Sequence, residues 1–282
     1  MTHHDPLQKA DFGAIYDQPD PRAYFSTLQP FGYVIPQYGA DAFTRLLSVL
    51  PIRDVSPTVL DVCSSYGIVG TLLRSDLRLS DLYAHYTDPT TSAQSPQTLR
   101  EADRKLIAER AKGAAPRVVG LDVAPNAVAY GVEIGAIDAG VTDNLETDDP
   151  SGRLTELLAG VDLITTTGGV GYVTERTFDR LLRSCPKDVW VAAFCLRTYD
   201  YHPIATTLAR HGLRTERMSR TFPQRRFTDE DERQWAISRV RERGLDPEGK
   251  EADGYYHADL YLSRPLDATE TRHVDALLAD AF

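Results

Sequence analysis

Short apolar runs alternate along this chain with stretches whose apolar positions recur every three or four residues, the pattern of strands separated by helices. Thr58-Val-Leu-Asp-Val62 predicts the first strand, and Ile68, Leu72 and Leu73 give the helical spacing that follows it. Val118 to Val123 predicts the second strand. Pro125-Asn126-Ala127 then opens a helix carried on by Val128, Val132 and Ile134. The third strand is the weakest, a short polar run from Val141 to Leu145. Val161 to Thr166 predicts the fourth, with a helix through Phe178, Leu181 and Leu182 behind it, and Val189 to Leu196 the fifth. The next helix stops at His211-Gly212, and Leu213 to Ser219 and Tyr255 to Leu262 supply the last two strands. Strands separated by helices predict an α/β fold: a doubly wound, seven-stranded, mostly parallel sheet closed by a hairpin.

Other segments depart from this rhythm. Residues 1–56 precede the first strand and read as an N-terminal helical cap. Within the first 40 positions they hold Phe12, Tyr16, Tyr24, Phe25, Phe31, Tyr33 and Tyr38, seven of the 23 Phe and Tyr, a concentration that suits packing over a site. Residues 57–265 read as the sheet domain, and 266–282 as a C-terminal helix. In such sheets ligands bind outside the carboxyl ends of the parallel strands. The 220–254 insertion, between the sixth and seventh strands, is therefore expected on the ligand side as a lid. It carries Phe222-Pro-Gln-Arg-Arg-Phe227 and a charged helix from about Asp229 to Arg243. The 75–115 insertion joins a helix end to a strand start and is expected mostly at the opposite end. A short helix at Asp81 to Tyr86 and a longer one from Ser95-Pro96 to about Lys112 are predicted there. That placement suits stability or homo-oligomer formation better than catalysis. Residues 147–153 form a polar loop.

Candidate chemistry collects at the strand ends. The run from Thr58 to Leu73 passes through Asp61, Cys63, Ser64, Ser65 and Gly67, a strand, a tight turn and a helix start. It resembles the first motif of class I S-adenosylmethionine (SAM) dependent methyltransferases, in which a strand-end acid precedes a loop of three glycines. Gly67 keeps the third glycine, while Cys63 and Ser65 occupy the other two places. Both are small, but neither takes positive φ as readily as glycine. Asp122 ends the second strand, where dinucleotide folds place the acid that accepts ribose hydroxyls about 20 residues past the glycine loop. Here the two acids lie about 60 residues apart, a gap that the 75–115 insertion accounts for. Either acid alone also reads as a strand-end turn residue; the ordered pair favours a ligand.

The resemblance covers residues 57–265 and implies SAM as cofactor, with S-adenosylhomocysteine as product. It implies that Cys63, Ser64, Ser65 and Gly67 line the methionine part and that Asp61 meets its ammonium side. Asp122 would take the ribose hydroxyls and Val123 would flank the adenine, whose edge Asn144, Leu145 and Glu146 would border. Thr167, Gly168 and Gly169 would pass beside the sulfonium, although these glycines read equally as an ordinary strand-helix turn. Tyr24 and Tyr33 are the cap aromatics expected first at the ligand. Tyr172 is expected to face substrate, with packing beneath the N-terminal segment as its rival reading.

Composition narrows the class. At 282 residues the chain can bury a full core in one elaborated domain. It has no apolar run of membrane-spanning length, and Met-Thr-His-His-Asp-Pro lacks the features of a signal peptide. A net charge of −10 weighs against nucleic acid as a partner. Cys63, Cys185 and Cys195 read as reduced thiols of a cytoplasmic protein, and no His, Cys or acid spacing suggests a metal.

Methyl transfer needs a held nucleophile and, where that nucleophile carries a proton, a base. His202 follows the fifth strand, with Asp200 near enough in sequence to orient its ring, and His257 starts the seventh beside Tyr255 and Tyr256. For each, a solvent-facing or packed histidine is the plainer alternative. The leading reading is a SAM-dependent methyltransferase acting on a small, partly aromatic molecule, in keeping with specialised metabolism. The chain's 5 lysines against 26 arginines suit a GC-rich bacterial genome that would house such tailoring. One alternative is a methyltransferase-fold cyclase performing intramolecular alkylation, such as cyclopropane formation with a sulfonium leaving group. The other is a non-catalytic SAM-binding protein.

Overall fold

A computed structural model describes residues 13–51 and 56–282; Phe12 of the N-terminal aromatic set lies outside them. Seven strands form one sheet: β1 (Thr58–Val62), β2 (Arg117–Leu121), β3 (Ala139–Val141), β4 (Leu163–Thr167), β5 (Trp190–Leu196), β6 (Leu213–Arg226) and β7 (Tyr255–Pro265). Their order is β3-β2-β1-β4-β5-β7-β6, with β7 alone antiparallel to its neighbours. This is the class I methyltransferase-like sheet that the sequence resemblance implies. Strand order reverses direction between β1 and β4, so the loops after β1, β2 and β4 diverge there and open a crevice.

Successive residues of each strand face opposite layers. Val59, Leu163, Trp190, Ala192 and Phe194 enter one core, while Leu60, Val62, Ile164, Val191, Ala193 and Cys195 enter the other. Both faces are covered, which is why these runs are almost wholly apolar. Before β1, α1 (Arg22–Leu28) and α2 (Ile35–Leu47) supply part of the first layer. Ile35, Phe43 and Leu46 of α2 are fully buried there, with the Phe43 ring 6.0 Å from that of Phe194. The N-terminal segment is thus core as well as cover.

Between β1 and β2 lie α3 (Ile68–Arg74), α4 (Leu79–Thr87), α5 (Pro89–Ser92) and α6 (Pro96–Glu109). The remaining helices are α7 (Pro125–Glu133), α8 (Gly152–Leu158), α9 (Glu175–Leu182), α10 (His202–Arg210), α11 (Glu230–Glu242) and the single turn α12 (Val274–Leu277). Side chains at several starts satisfy otherwise unpaired amides: Ser95 accepts from Thr98, Ser151 from Leu154 and Asp229 from Glu232. No described helix is long and apolar enough to cross a membrane.

Several expectations change. β3 stops at Val141 because Asn144 Oδ1 accepts the Glu146 amide, turning the chain before Leu145, which packs in the second core. β6 continues past Ser219 to Arg226 through irregular register near Arg217–Thr221 and Pro223–Arg225. Residues 222–226 are therefore strand rather than lid loop. Phe222 is buried against Tyr38 and Phe194, and Pro223 is tolerated because β6 is an edge strand. The predicted C-terminal helix is reduced to α12.

The 75–115 insertion leans on the N-terminal segment rather than standing apart from the ligand end. Ser75 bridges to Ala111 at its base, the Tyr83 hydroxyl donates to the Tyr33 carbonyl at 2.8 Å, and Arg22 donates to the carbonyls of Thr91, Ser92 and Gln94. Phe25 is the shared contact, stacked on Tyr86 at 4.6 Å and edge-on to Tyr83 and Tyr24 at 5.1 Å. Deeper in, Asp103 accepts from the Tyr86 and Tyr130 hydroxyls and contacts His85 Nε2 at 2.6 Å, joining α4, α6 and α7. Phe25→Ala should therefore cost about 3–5 kcal/mol in urea unfolding, the usual penalty for an aromatic cavity. A loss below about 1 kcal/mol would show that the cap and insertion do not rely on this ring.

Candidate functional site

At the switch point the chain encloses a cavity of about 360 Å³. Its floor comes from Asp61, Cys63, Ser64 and Ser65 after β1, Asp122 to Ala124 after β2, and Thr167 to Gly169 after β4. Tyr16, Asp17, Tyr24, Tyr33 and Pro36 arrive from the N-terminal segment.

The turn after β1 sets the geometry. Cys63 has φ 60°, Ser65 φ 48° and Gly67 φ 74°, so left-handed backbone recurs at the three positions that align with the family's glycines. For Cys63 and Ser65 this conformation is strained by about 1–3 kcal/mol each. Asp122 holds it in place: one carboxylate oxygen accepts the Ser65 amide at 2.8 Å and the other the Ala124 amide at 3.0 Å. Gly67 does not line the cavity. A Cβ there would meet Ala136 Cβ at 2.9 Å, so this glycine lets α3 approach the turn that follows α7.

Burial tunes the acids. Asp61 is 2 % exposed and accepts from Thr165 Oγ1 at 3.0 Å. Burial raises its pKa to about 7; the Thr165 bond opposes this and the Asp122 charge adds to it. Burial also raises Asp122, against the lowering effect of the Ser65 and Ala124 amides. The Cys63 thiol is pushed up by burial and then by Asp122 and Asp61, so it stays protonated. Tyr16, Tyr24 and Tyr33 are raised by burial and remain neutral phenols. The Ser64 and Ser65 hydroxyls are buried without a hydrogen-bond partner among the described residues; that of Ser64 packs over Gly120.

Of the residues singled out from sequence, Asp61, Cys63, Ser64, Ser65, Asp122, Val123, Thr167, Gly168, Tyr24, Tyr33 and Tyr172 meet around this cavity. Others are placed elsewhere. Asn144 is exposed in its own turn and Leu145 is core. Glu146 accepts from the Thr174 amide and the Thr174 and Thr177 hydroxyls, holding the start of α9. Burial works against its charge, but these bonds outweigh it and lower its pKa.

Neither histidine lines the cavity. His202 is exposed at the start of α10, with Nε2 3.4 Å from Thr206 Oγ1. Asp200 accepts the His202 backbone amide, so it does not orient the ring. His257 is half-buried on β7 with Nδ1 3.0 Å from Thr221 Oγ1. Burial, aided by Arg197, lowers its pKa to about 4.

The 220–254 segment contributes no lining residue among those described. It is fastened beside β5 and β7 instead. Arg225 pairs with Glu232 through contacts of 2.6 and 3.0 Å, and Arg197 pairs with Glu251 at 2.5 Å. The segment touches the site's surroundings through Gln224, which lies beside Gly168 and accepts the Val34 amide, and through Arg243, which donates to the carbonyl of Tyr199, whose ring packs on Gly171. Sequence reasoning missed Asp17, Pro36, Ile68, Val69 and Ala124. Asp17 reaches the site because its carboxylate accepts the Asn126 amide at 2.8 Å, a contact across 109 positions that no local pattern announces.

No protein-family model and no curated protein matches the chain. Among solved structures, a TehB-like SAM-dependent methyltransferase from Corynebacterium glutamicum is 14% identical, with 79% of this chain and 86% of that chain covered and a TM-score of 0.40. A SAM-dependent methyltransferase from Aquifex aeolicus is 14% identical over 91% and 100% of the two chains, with a TM-score of 0.41. The plantazolicin methyltransferase BpumL in complex with SAH is 10% identical over 89% and 93%, also at 0.41.

The turn makes a direct stability prediction. Ser65→Gly should raise unfolding free energy by about 1 kcal/mol, because strain relief exceeds the entropy glycine adds to the unfolded chain. Gly67→Ala should destabilise by more than about 1 kcal/mol, since it adds both strain and the Ala136 clash. Urea unfolding measures both, and a destabilised Ser65→Gly would show that side-chain contacts outweigh the strain.

Proposed function

We propose that the chain is a transferase that binds S-adenosylmethionine in this cavity and moves its methyl group to a small, partly aromatic acceptor, leaving S-adenosylhomocysteine. The observation that carries the reading is the turn after β1. Two left-handed residues, Cys63 and Ser65, bring backbone close to a crevice faced by the two strand-end carboxylates. The buried Ser65 hydroxyl, without a partner among the described residues, suits a ligand carboxylate. When bound, SAM supplies an electrophilic methyl on a sulfonium.

The chain's own residues hold and shield. The Asp61 carboxylate meets the ammonium group and Asp122 accepts from the ribose hydroxyls while still bracing the Ser65 amide. Val123, 63 % exposed at the rim, flanks the adenine. Thr167 and Gly168 pass beside the reacting centre; a Cβ on Gly168 would come within 3.1 Å of the Tyr33 hydroxyl, so the glycine makes room for that ring at the site. Tyr24 and Tyr33, both nearly buried, exclude water. Calorimetry with SAM and product mass spectrometry test the reading. SAM binding with an acceptor that gains one methyl supports it, and absent binding at millimolar ligand overturns it.

Asp122→Ala should weaken SAM affinity roughly ten- to a hundredfold, the loss of about 1.5–3 kcal/mol for hydrogen bonds to a charged group. Unchanged affinity in the folded variant would remove Asp122 from the ligand.

The Asp61 shift fixes a pH dependence. A carboxylate must be charged to meet an ammonium, so SAM affinity should rise with pH to a plateau above about 7, and fall by up to about tenfold per unit below it. Asp61→Asn should abolish the slope. Without ligand the sign reverses: a raised carboxyl pKa favours the folded state at low pH. That contribution is lost as pH climbs from the ordinary 3.8 to about 7. Titration calorimetry across this range reads the first effect and thermal unfolding the second.

A further inference from the structure

The cavity lining as a whole has a chemical bias. Among the described residues, the lining contains three carboxylates, Asp17, Asp61 and Asp122, and no lysine, arginine or histidine. The Arg225 guanidinium acts on Tyr16 but is already held by both oxygens of buried Glu232. The rest of the polar lining is largely phenolic. Tyr24 meets Tyr16 edge-on at 5.8 Å and Tyr33 at 6.2 Å, and the Tyr172 hydroxyl lies near enough to affect both Tyr16 and Tyr33. Burial keeps the first three phenols un-ionised, so they offer oxygen lone pairs and negative ring faces rather than full charges.

Resting on the SAM reading, we infer that the methyl acceptor is an uncharged nitrogen base on an aromatic or arylalkyl frame, and that anionic acceptors are rejected. An anion would enter a site whose described lining holds three carboxylates and no cationic side chain, an excess of negative charge that SAM, with one net positive charge, does not cancel. A neutral nitrogen carries no such penalty. Its lone pair forms the new N–C bond as the C–S bond breaks, and the electron pair of that bond stays on sulfur. The positive charge passes from sulfur to nitrogen, toward tyrosine oxygens and ring faces that favour it. No proton leaves during transfer; a primary or secondary amine loses one to water afterwards. This chemistry also needs no imidazole, in keeping with the placement of His202 and His257 outside the lining.

The test uses the full chain and starts with S-adenosylhomocysteine binding by calorimetry. No binding overturns the SAM reading and this inference together. With that ligand bound, phenethylamine, 2-phenylethanol and phenylacetate are titrated as a matched series. The inference expects the amine to bind at least tenfold more tightly than the carboxylate. Equal or tighter phenylacetate binding, or no binding by any of the three, overturns it while leaving the SAM reading intact. Turnover gives a second arm. Rates with phenethylamine and with aniline, a much weaker base, should each rise with pH along the acceptor's own ionisation. The double variant His202→Ala, His257→Ala should hold its rate within about twofold. A loss of 100-fold or more, the contribution of a positioned base, would assign an imidazole to catalysis and overturn the inference.

Discussion

The bridge from the Asp122 carboxylate to the amides of Ser65 and Ala124 is the contact on which the site depends. The Cys63 and Ser64 amides both donate to the Leu121 carbonyl, which carries the β1–β2 link just past the strands. The Asp122 carboxylate extends that link into the loops, accepting a donor from each. It also stabilises a backbone shape that Cys63 and Ser65 adopt only at a cost. Charge-assisted bonds to backbone amides contribute about as much as one such strained residue costs. The left-handed turn thus forms without glycine at positions 63 and 65, because a tertiary contact replaces conformational freedom.

Around this turn the chain builds a second support from outside the sheet. The N-terminal segment brings Tyr16, Tyr24 and Tyr33 over the crevice, and the insertion between α3 and β2 braces it through Tyr83, Arg22 and the stacked Phe25–Tyr86 pair. Asp103 extends the brace to α7, which begins beside Asp122. Two segments that look peripheral in sequence therefore decide how firmly the tyrosine wall is held.

The electrostatics of the cavity follow from the same burial. Enclosure raises Asp61 and keeps the phenols neutral, and no described lining residue is a lysine, arginine or histidine. Arg225 and Arg197 sit in buried pairs with Glu232 and Glu251, fastening the segment before β7 to the sheet. An ion pair of this kind adds little net stability but is costly to break, so these guanidiniums are poorly suited to serve a ligand. What remains is an acidic, aromatic chamber with an opening at Val123 and Tyr172.

From sequence alone, periodicity determined the strand–helix order, because a strand buried on both faces must be apolar throughout and a helix on its flank must repeat every three or four residues. Asp61, Asp122 and the Cys63–Gly67 turn were legible for the same local reason: each lies within a few residues of a strand end. Tertiary structure decided the rest. Asp17 joins the cavity by contact with Asn126, and His202 leaves it because Asp200 caps a backbone amide instead of the ring. The last strands follow the same rule. Phe222 to Arg226 became strand since Phe222 fills a gap between Tyr38 and Phe194, rings far apart in the chain. A local pattern encodes what a residue prefers; which distant groups satisfy or deny that preference is known only once the sheet has brought them together.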